Sequence, residues 1–366
     1  MPTSARAVIT GEGGVLDVVD VTVDDPADDE VLVDLHASGV CHTDHDLRSY
    51  PGTILGHEGA GTVSSVGSRV SSVEVGDRVL LNWAMPCGAC FQCVDGNEHL
   101  CEVGSPLYDR PGSRAHRGST TRDGRPVRRA FGLGTMSTAT LVPDRAVTRM
   151  PEHVSFAAGA IAGCGVMTGV GSVFNAARVE PGASVVVLGC GGVGLNVVQG
   201  ARIAGALPII AIDVNAGRLE LAIRFGATEA MLADRDDRGL EEAARSVRER
   251  CGGRGADYAF ECTAVPELGA APLAMIRHGG TAIQVSGIEQ TIEIDMRLFE
   301  FDKTYINPLY GQCRPSRDFP RLFALHAKGA LLLDELVTRC YRIDDVAEAF
   351  DDMLAGRNAK GVIELR

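Results

Sequence analysis

The sequence predicts an α/β protein of two domains, one built on a doubly wound parallel sheet and the other rich in β-structure. Three observations carry this reading. Strand-like and helix-like runs alternate over residues 184–306, short alternating runs broken by Gly, Pro, Asp and Ser fill the first ~155 residues, and a G-x-G-x-x-G turn opens the alternating part. The length agrees, since 366 residues at roughly 150 per domain give two domains or three.

In chain order, Glu30–His36, Gly59–Val66 and Arg78–Leu81 alternate apolar and polar residues with the period of half-buried strands. Phe156–Ala177 is small and apolar with helical spacing and stops at Glu180-Pro181-Gly182, so it reads as a helix linking the domains. The alternation then runs Ser184–Leu188, Val193–Ala204, Ile209–Asp213, Gly217–Phe225, Ala230–Ala233 and Gly239–Cys251, and continues with Asp257–Glu261, Val265–Ile276, Thr281–Ser286 and Thr304–Asn307. Six strands joined through helices require right-handed crossovers, hence a parallel sheet with the full dinucleotide-binding count. Beyond residue 310, the helical stretches Phe319–Lys328 and Asp344–Leu354 and the strand-like Gly361–Leu365 are too little for a third domain and are expected to fold back onto the N-terminal one.

Composition narrows the function. Apolar residues make up 45%, charged residues 23% and aromatics 5%, the proportions of an ordinary globular protein. The 44 glycines exceed the usual ~7%, pointing to tight turns or backbone in close approach to a ligand. A net charge of −13 argues against nucleic acid as a partner, because polyphosphate binding needs excess Lys and Arg. No run reaches the ~18 consecutive apolar residues of a membrane span, and Met1–Thr10 lacks a secretion signal, so a cytoplasmic protein without a membrane partner is expected. In that reducing compartment eleven cysteines point to metal rather than to disulfides. Arg110, Arg114, Arg117, Arg122, Arg125, Arg128 and Arg129 crowd one stretch, which reads either as a solvated loop or as a rim attracting an anion.

Gly189-Cys190-Gly191-Gly192-Val193-Gly194 follows the strand-like Val185–Leu188 and opens a helix-like run. In that position the glycines allow a tight turn, close approach of backbone N–H groups to a pyrophosphate, and close helix–strand packing. Asp213 ends the next strand 19 residues on, where a carboxylate accepts the ribose hydroxyls and repels a 2′-phosphate, so NAD(H) is expected rather than NADP. Arg218, one helical turn onward, is within reach of the adenosine end.

Cys87-x2-Cys90-x2-Cys93-x7-Cys101 gathers four thiols in a Gly- and Pro-containing loop, a donor set that closes a tetrahedral structural zinc site; an iron–sulfur cluster takes the same donors. Cys41, His57 and Cys164 would leave zinc one open position for a substrate, but their spacing alone does not reveal a site, and each by itself is more often a core thiol or a satisfied surface histidine.

Gly-His-Glu at 56–58, the four-cysteine lobe, Gly-Cys-Gly at 163–165 and Gly-x-Gly-Gly-x-Gly at 189–194 occur in the order found in zinc-containing alcohol dehydrogenases of the medium-chain dehydrogenase/reductase superfamily, which the chain resembles over nearly its whole length. The resemblance implies a GroES-like catalytic domain (1–165 and 310–366, with a zinc lobe near 86–102), a Rossmann NAD-binding domain (166–309), and two zinc ions per subunit, one of them in the cleft between the domains. The implied activity is reversible hydride transfer between an alcohol and NAD, giving an aldehyde or ketone. The long segment between Cys101 and Thr140 is similar to the dimeric animal-type and formaldehyde-dehydrogenase branches, implying a homodimer, and Cys41-His42-Thr43-Asp44 with Asn82-Trp83 resembles the actinobacterial group.

Position by position, the resemblance implies Cys41, His57 and Cys164 as catalytic zinc ligands and Cys87, Cys90, Cys93 and Cys101 as the structural set. It makes Asp44 the carboxylate orienting His57, Glu58 the acid beneath the metal, and Thr43 the hydroxyl that starts a proton relay. Thr168 and Val193 pack on the nicotinamide, and Lys360 contacts the cofactor phosphates. The chain departs from the family in three places: Asp46 stands where a relay histidine is common, leaving Asp46, His45 or water to release the proton; His42 stands where an arginine binds pyrophosphate; and the segment His45–Leu55 is short. These departures leave room for a biosynthetic reductase of an activated C=C or a large ketone, or for a thiol-dependent formaldehyde dehydrogenase. A non-catalytic NAD-binding redox regulator is the alternative of another class.

Overall fold

The computed structural model describes residues 2–107 and 120–366; of the arginine-rich stretch, Arg110, Arg114 and Arg117 lie outside the described residues. Two compact units are present, one formed by residues 1–164, 313–329 and 333–366, the other by residues 165–312 and 330–332.

The first unit contains two sheets. One has six strands in the order Arg125–Pro126, Thr120–Arg122, Leu16–Val23, Thr3–Thr10, Thr53–Ile54 and Arg128–Arg129. The other has seven, running Val147–Arg149, Arg78–Leu81, Gly59–Val66, Glu30–Gly39, Lys360–Glu364 and Val337–Arg342, with Ala139–Pro143 also paired to Glu30–Gly39. Side chains from both sheets, among them Ala7, Val21, Leu32, Ile54 and Leu141, share a core, because alternation turns every second residue of each strand inward. The C-terminal strand Lys360–Glu364 lies antiparallel to Glu30–Gly39, so the end of the chain folds back onto the first unit as expected.

The second unit holds a six-stranded parallel sheet in the order Glu229–Leu232, Ile209–Asp213, Val185–Leu188, Ala256–Glu261, Ile276–Gln284 and Thr304–Ile306. This doubly wound order places a topological switch between Val185–Leu188 and Ala256–Glu261, whose carboxyl ends are where such sheets bind ligands. Every residue of Val185–Leu188 is buried, as a central parallel strand covered on both faces must be. The helix anticipated at Val265–Ile276 is instead a 3-10 turn, Pro266–Leu268, and a single α-turn, Ala271–Met275. Pro266 and Pro272 cannot supply the amide donors of a continuous helix, and their rings favour helix starts.

Among the described residues one helical run, Phe156–Ala177, is long and apolar enough to cross a membrane, yet 78% of its apolar window is buried inside the protein, as in a core helix. It is interrupted by two π-turns, Ala162–Val166 and Ser172–Ala177, the first of which contains Cys164. A π-turn puts one extra residue into the ladder and re-aims the side chains it carries.

Candidate functional site

Strand pairing brings the scattered residues together. Glu30–Gly39 and Gly59–Val66 are antiparallel with Ser38 opposite Gly59, so the segment leaving the first strand and the segment entering the second lie side by side. Cys41 is on the former and His57 on the latter. Gly59 also pairs with Leu81, and Gly163 packs so closely on Leu81 that a Cβ there would meet its carbonyl oxygen at 2.6 Å, which sets Cys164 beside the other two. The ligand atoms of Cys41, His57, Glu58 and Cys164 consequently lie within 4.8 Å of one another.

Gly56, the residue before His57, has φ +97° and no room for a side chain, since a Cβ would sit 2.3 Å from the Met136 amide nitrogen. Asp44, on the short helix His42–Asp46, accepts the Gly56 N–H at 2.9 Å and lies 3.0 Å from His57 Nδ1 through the same oxygen. His57 therefore offers Nε2, which is buried without a hydrogen-bond partner, toward the thiols. The Phe131 ring lies against the imidazole at 4.9 Å, and Trp83 lies 5.4 Å beyond Phe131.

The field at this cluster calls for positive charge. A hydrogen bond from Cys164 and the nearby Lys360 and His57 hold the Cys41 thiol well below its ordinary range despite burial, while the same contact and burial push Cys164 up. Burial works against a charged His57, but Asp44 and Cys41 outweigh it and raise its pKa well above the usual value. A proton-attracting, thiol-lined pocket with an orphaned imidazole nitrogen fits a soft divalent cation such as zinc, with three N/S donors and a carboxylate at hand.

Lys360 has a different partner from the phosphates expected for it. Its buried ammonium donates to the Val40 carbonyl at 3.0 Å and to Glu58 Oε1 at 2.7 Å, because Lys360 heads the strand whose Gly361 carbonyl accepts the Val40 N–H. Burial raises the Glu58 pKa to about 7 even against this cation, and Glu58 with Cys41 keeps Lys360 charged. The sequence carried no sign of this pair, whose members are 302 positions apart. Gly39 carries no signal in the sequence either, yet a Cβ there would fall 1.9 Å from Glu58 Oε2.

The relay candidates are more open: Thr43 is half-buried, and His45 Nδ1 lies 3.5 Å from the largely exposed Asp46 carboxylate. His42, expected at the pyrophosphate, is exposed.

Cys87, Cys90, Cys93 and Cys101 form a second group with donor atoms within 4.8 Å of one another. Backbone amides aim at their sulfurs: Cys90 N–H donates to Cys87 Sγ at 3.3 Å, and Cys87 and Gly104 N–H donate to Cys101 Sγ at 3.2 Å each. Such donors stabilise thiolates, the form that binds metal. Against the cost of burial, the Cys93 and Glu102 backbones and two neighbouring thiols bring Cys90 down to about 6. Four thiolates sharing one point fit a closed tetrahedral zinc site.

In the second unit the glycine loop has the local geometry that a dinucleotide-binding turn needs. Gly189 adopts φ +84°, Gly191 has open space where a Cβ would be, and a Cβ on Gly194 would fall 1.9 Å from the Gly189 carbonyl oxygen. The turn, the room for a phosphate and the helix packing each need a glycine. Gly192 begins the helix Gly192–Ala204. Asp213 Oδ2 accepts the Cys190 N–H at 2.7 Å and its Oδ1 the Asn215 N–H at 2.9 Å, while Arg218 Nη1 lies 4.0 Å from Oδ2. Thr168 and Val193 come close because Gly169 packs on Val193 O and Asn196, where a Cβ would meet them at 2.6 and 2.5 Å.

Comparison with known proteins agrees with both halves. Residues 27–152 match the family model of the alcohol dehydrogenase GroES-like domain and residues 192–328 that of the zinc-binding dehydrogenase. The chain is 33% identical over 98% of its length to S-(hydroxymethyl)glutathione dehydrogenase of Paracoccus denitrificans, covering 99% of that protein. It is 34% identical over 99% of its length to the NDMA-dependent alcohol dehydrogenase of Amycolatopsis methanolica, again covering 99%. Among solved structures, benzyl alcohol dehydrogenase from Acinetobacter calcoaceticus superposes with a TM-score of 0.89 at 28% identity and full coverage of both chains. An alcohol dehydrogenase zinc-binding domain protein from Burkholderia ambifaria does so at 0.91 and 29%. Matched from end to end by such enzymes, and carrying both domain types, the chain belongs to the zinc-containing alcohol dehydrogenases of the medium-chain dehydrogenase/reductase superfamily.

Proposed function

We propose that this protein interconverts an alcohol and its aldehyde or ketone with NAD(H), using Cys41, His57 and Cys164 to hold a catalytic zinc and Cys87, Cys90, Cys93 and Cys101 to hold a structural one. The observation that carries this reading is the convergence of Cys41, His57 and Cys164, with Glu58, on one buried point. Zinc held there supplies a Lewis acid that makes a substrate hydroxyl acidic at modest pH, and NAD supplies the hydride acceptor.

The chain's own residues do the rest. Asp44 fixes the imidazole tautomer and ring orientation so that His57 Nε2 keeps its lone pair for the metal. Thr43 receives the substrate's hydroxyl proton, and His45, Asp46 or water carries it to solvent. Gly189, Gly191, Gly192 and Gly194 bind the pyrophosphate, Asp213 the adenosine ribose, and Thr168 and Val193 the nicotinamide face, with Arg218 and His42 as further cofactor contacts. Residues 1–165 and 310–366 form the catalytic domain, residues 166–309 the NAD domain, and the enzyme works as a cytoplasmic homodimer.

A substrate panel with NAD tests this reading, and formaldehyde with and without glutathione belongs in it because one relative is named for that adduct. Formation of NADH from an alcohol, lost in Cys41→Ala, supports it. A protein that binds NAD but oxidises none of the panel would fit a regulator, and reduction confined to enals or large ketones would fit a biosynthetic reductase.

A further inference from the structure

Glu261 ends the strand Ala256–Glu261 at the carboxyl edge of the parallel sheet and is completely buried. No Lys or Arg pairs with it among the described residues. Four donors surround its carboxylate: the backbone N–H groups of Thr263 at 2.6 Å and Ala264 at 3.2 Å, and the hydroxyls of Thr263 and Ser286. The donors come from two separate turns, one after Ala256–Glu261 and one after Ile276–Gln284. The Glu261 carbonyl binds the second turn again, accepting from Val285 N–H at 2.9 Å and Ser286 N–H at 3.2 Å. Ala264 is held at φ +60°, a conformation costly for a residue with a Cβ. The first turn also abuts the glycine loop, since a Cβ on Gly189 would meet Thr263 Cγ2 at 2.9 Å and the Cys262 backbone at 3.0 Å.

A buried carboxylate with no cation beside it depends on its hydrogen-bond donors, and a strained turn persists only where its surroundings hold it. Both features sit at the switch point where a doubly wound sheet binds its ligand. We infer that Glu261 is a positioning residue for the nicotinamide ring of the cofactor, clamping the turns at 263–265 and 285–287 beside the glycine loop. This rests on NAD binding at this sheet edge. The clamp acts on the side of Gly189 away from Asp213, so it shapes the half of the site that does not hold the adenosine.

The test compares NADH with ADP-ribose, which lacks the nicotinamide, by calorimetry on the zinc-loaded enzyme. For Glu261→Ala the dissociation constant of NADH should rise at least tenfold while that of ADP-ribose stays within threefold. Glu261→Gln, which keeps an acceptor for the Thr263 and Ala264 amides, should recover most of the loss. Should Glu261→Ala not fold, Ser286→Ala removes only the side-chain bond from the second turn to the Glu261 carboxylate and should raise the NADH constant several-fold with ADP-ribose unmoved. Equal loss for both ligands, or no loss for either, overturns the inference. Failure of the unmutated enzyme to bind NADH would instead overturn the assignment of the cofactor.

Discussion

His57 Nδ1 stands 3.0 Å from Asp44 Oδ1, both side chains wholly enclosed. The same Asp44 oxygen holds the Gly56 amide, so one carboxylate fixes both the backbone before His57 and the direction of its ring. Asp44→Asn should therefore keep the fold but weaken zinc at the Cys41 cluster roughly 10–100-fold, the usual effect of losing an outer partner of a ligating histidine. Competition with a chelator, read alongside turnover, measures it.

Cys93→Ala should lower the thermal transition by several degrees and remove one zinc per subunit, because a structural zinc contributes folding free energy directly. Cys251→Ala, which removes a thiol outside both donor groups, should change neither. Differential scanning calorimetry with metal analysis separates these outcomes.

Lys360→Met leaves the buried Glu58 without its cation and should destabilise the first unit by ~3–5 kcal/mol, the cost of breaking a buried pair from one side. Adding Glu58→Gln should recover much of the loss, which denaturant unfolding of both variants would show.

Glu58 also sets a pH dependence in metal-stripped protein. Burial pushes its carboxyl up to about 7 when folded, against the ordinary 4.5 of the unfolded chain, so between these the folded state holds a proton that the unfolded chain releases. Its contribution is present below 4.5 and is lost as pH rises to about 7. Relative to Glu58→Gln, the apo protein should thus become less stable from pH 5 to pH 7, and a difference independent of pH would count against the buried carboxyl.

Asp213→Gly should relax cofactor choice. Removing the carboxylate proposed to face the ribose, which in this structure accepts the Cys190 N–H, should raise kcat/KM for NADP relative to NAD by about tenfold or more, ~1.4 kcal/mol, within the range expected for like charges near 4 Å at a protein surface. Steady-state kinetics with both cofactors decides it.

The parallel sheet was legible because its signals are local: β-branched runs, helix-period segments and a glycine turn that opens with Gly189 at φ +84°. The four-cysteine lobe was legible for the same reason, with all donors inside one short loop. The Cys41, His57 and Cys164 group was not, since strand pairing and a π-turn assemble it, and only the order of motifs pointed there. Long-range pairings left no trace at all. Lys360 meets Glu58 only because the last strand adds to the sheet beside Glu30–Gly39, and the Glu261 clamp depends on two turns that meet in space. The helix expected at Val265–Ile276, which is two short turns instead, shows apolar periodicity outweighed by two prolines.

Metal stoichiometry of purified wild-type protein and of Cys41→Ala tests the central claim most directly. Two zinc ions per subunit should fall to one in the variant, with NADH binding retained and alcohol oxidation abolished. A single zinc in the wild type, or a Cys41→Ala variant that keeps both ions and still turns over, would contradict it.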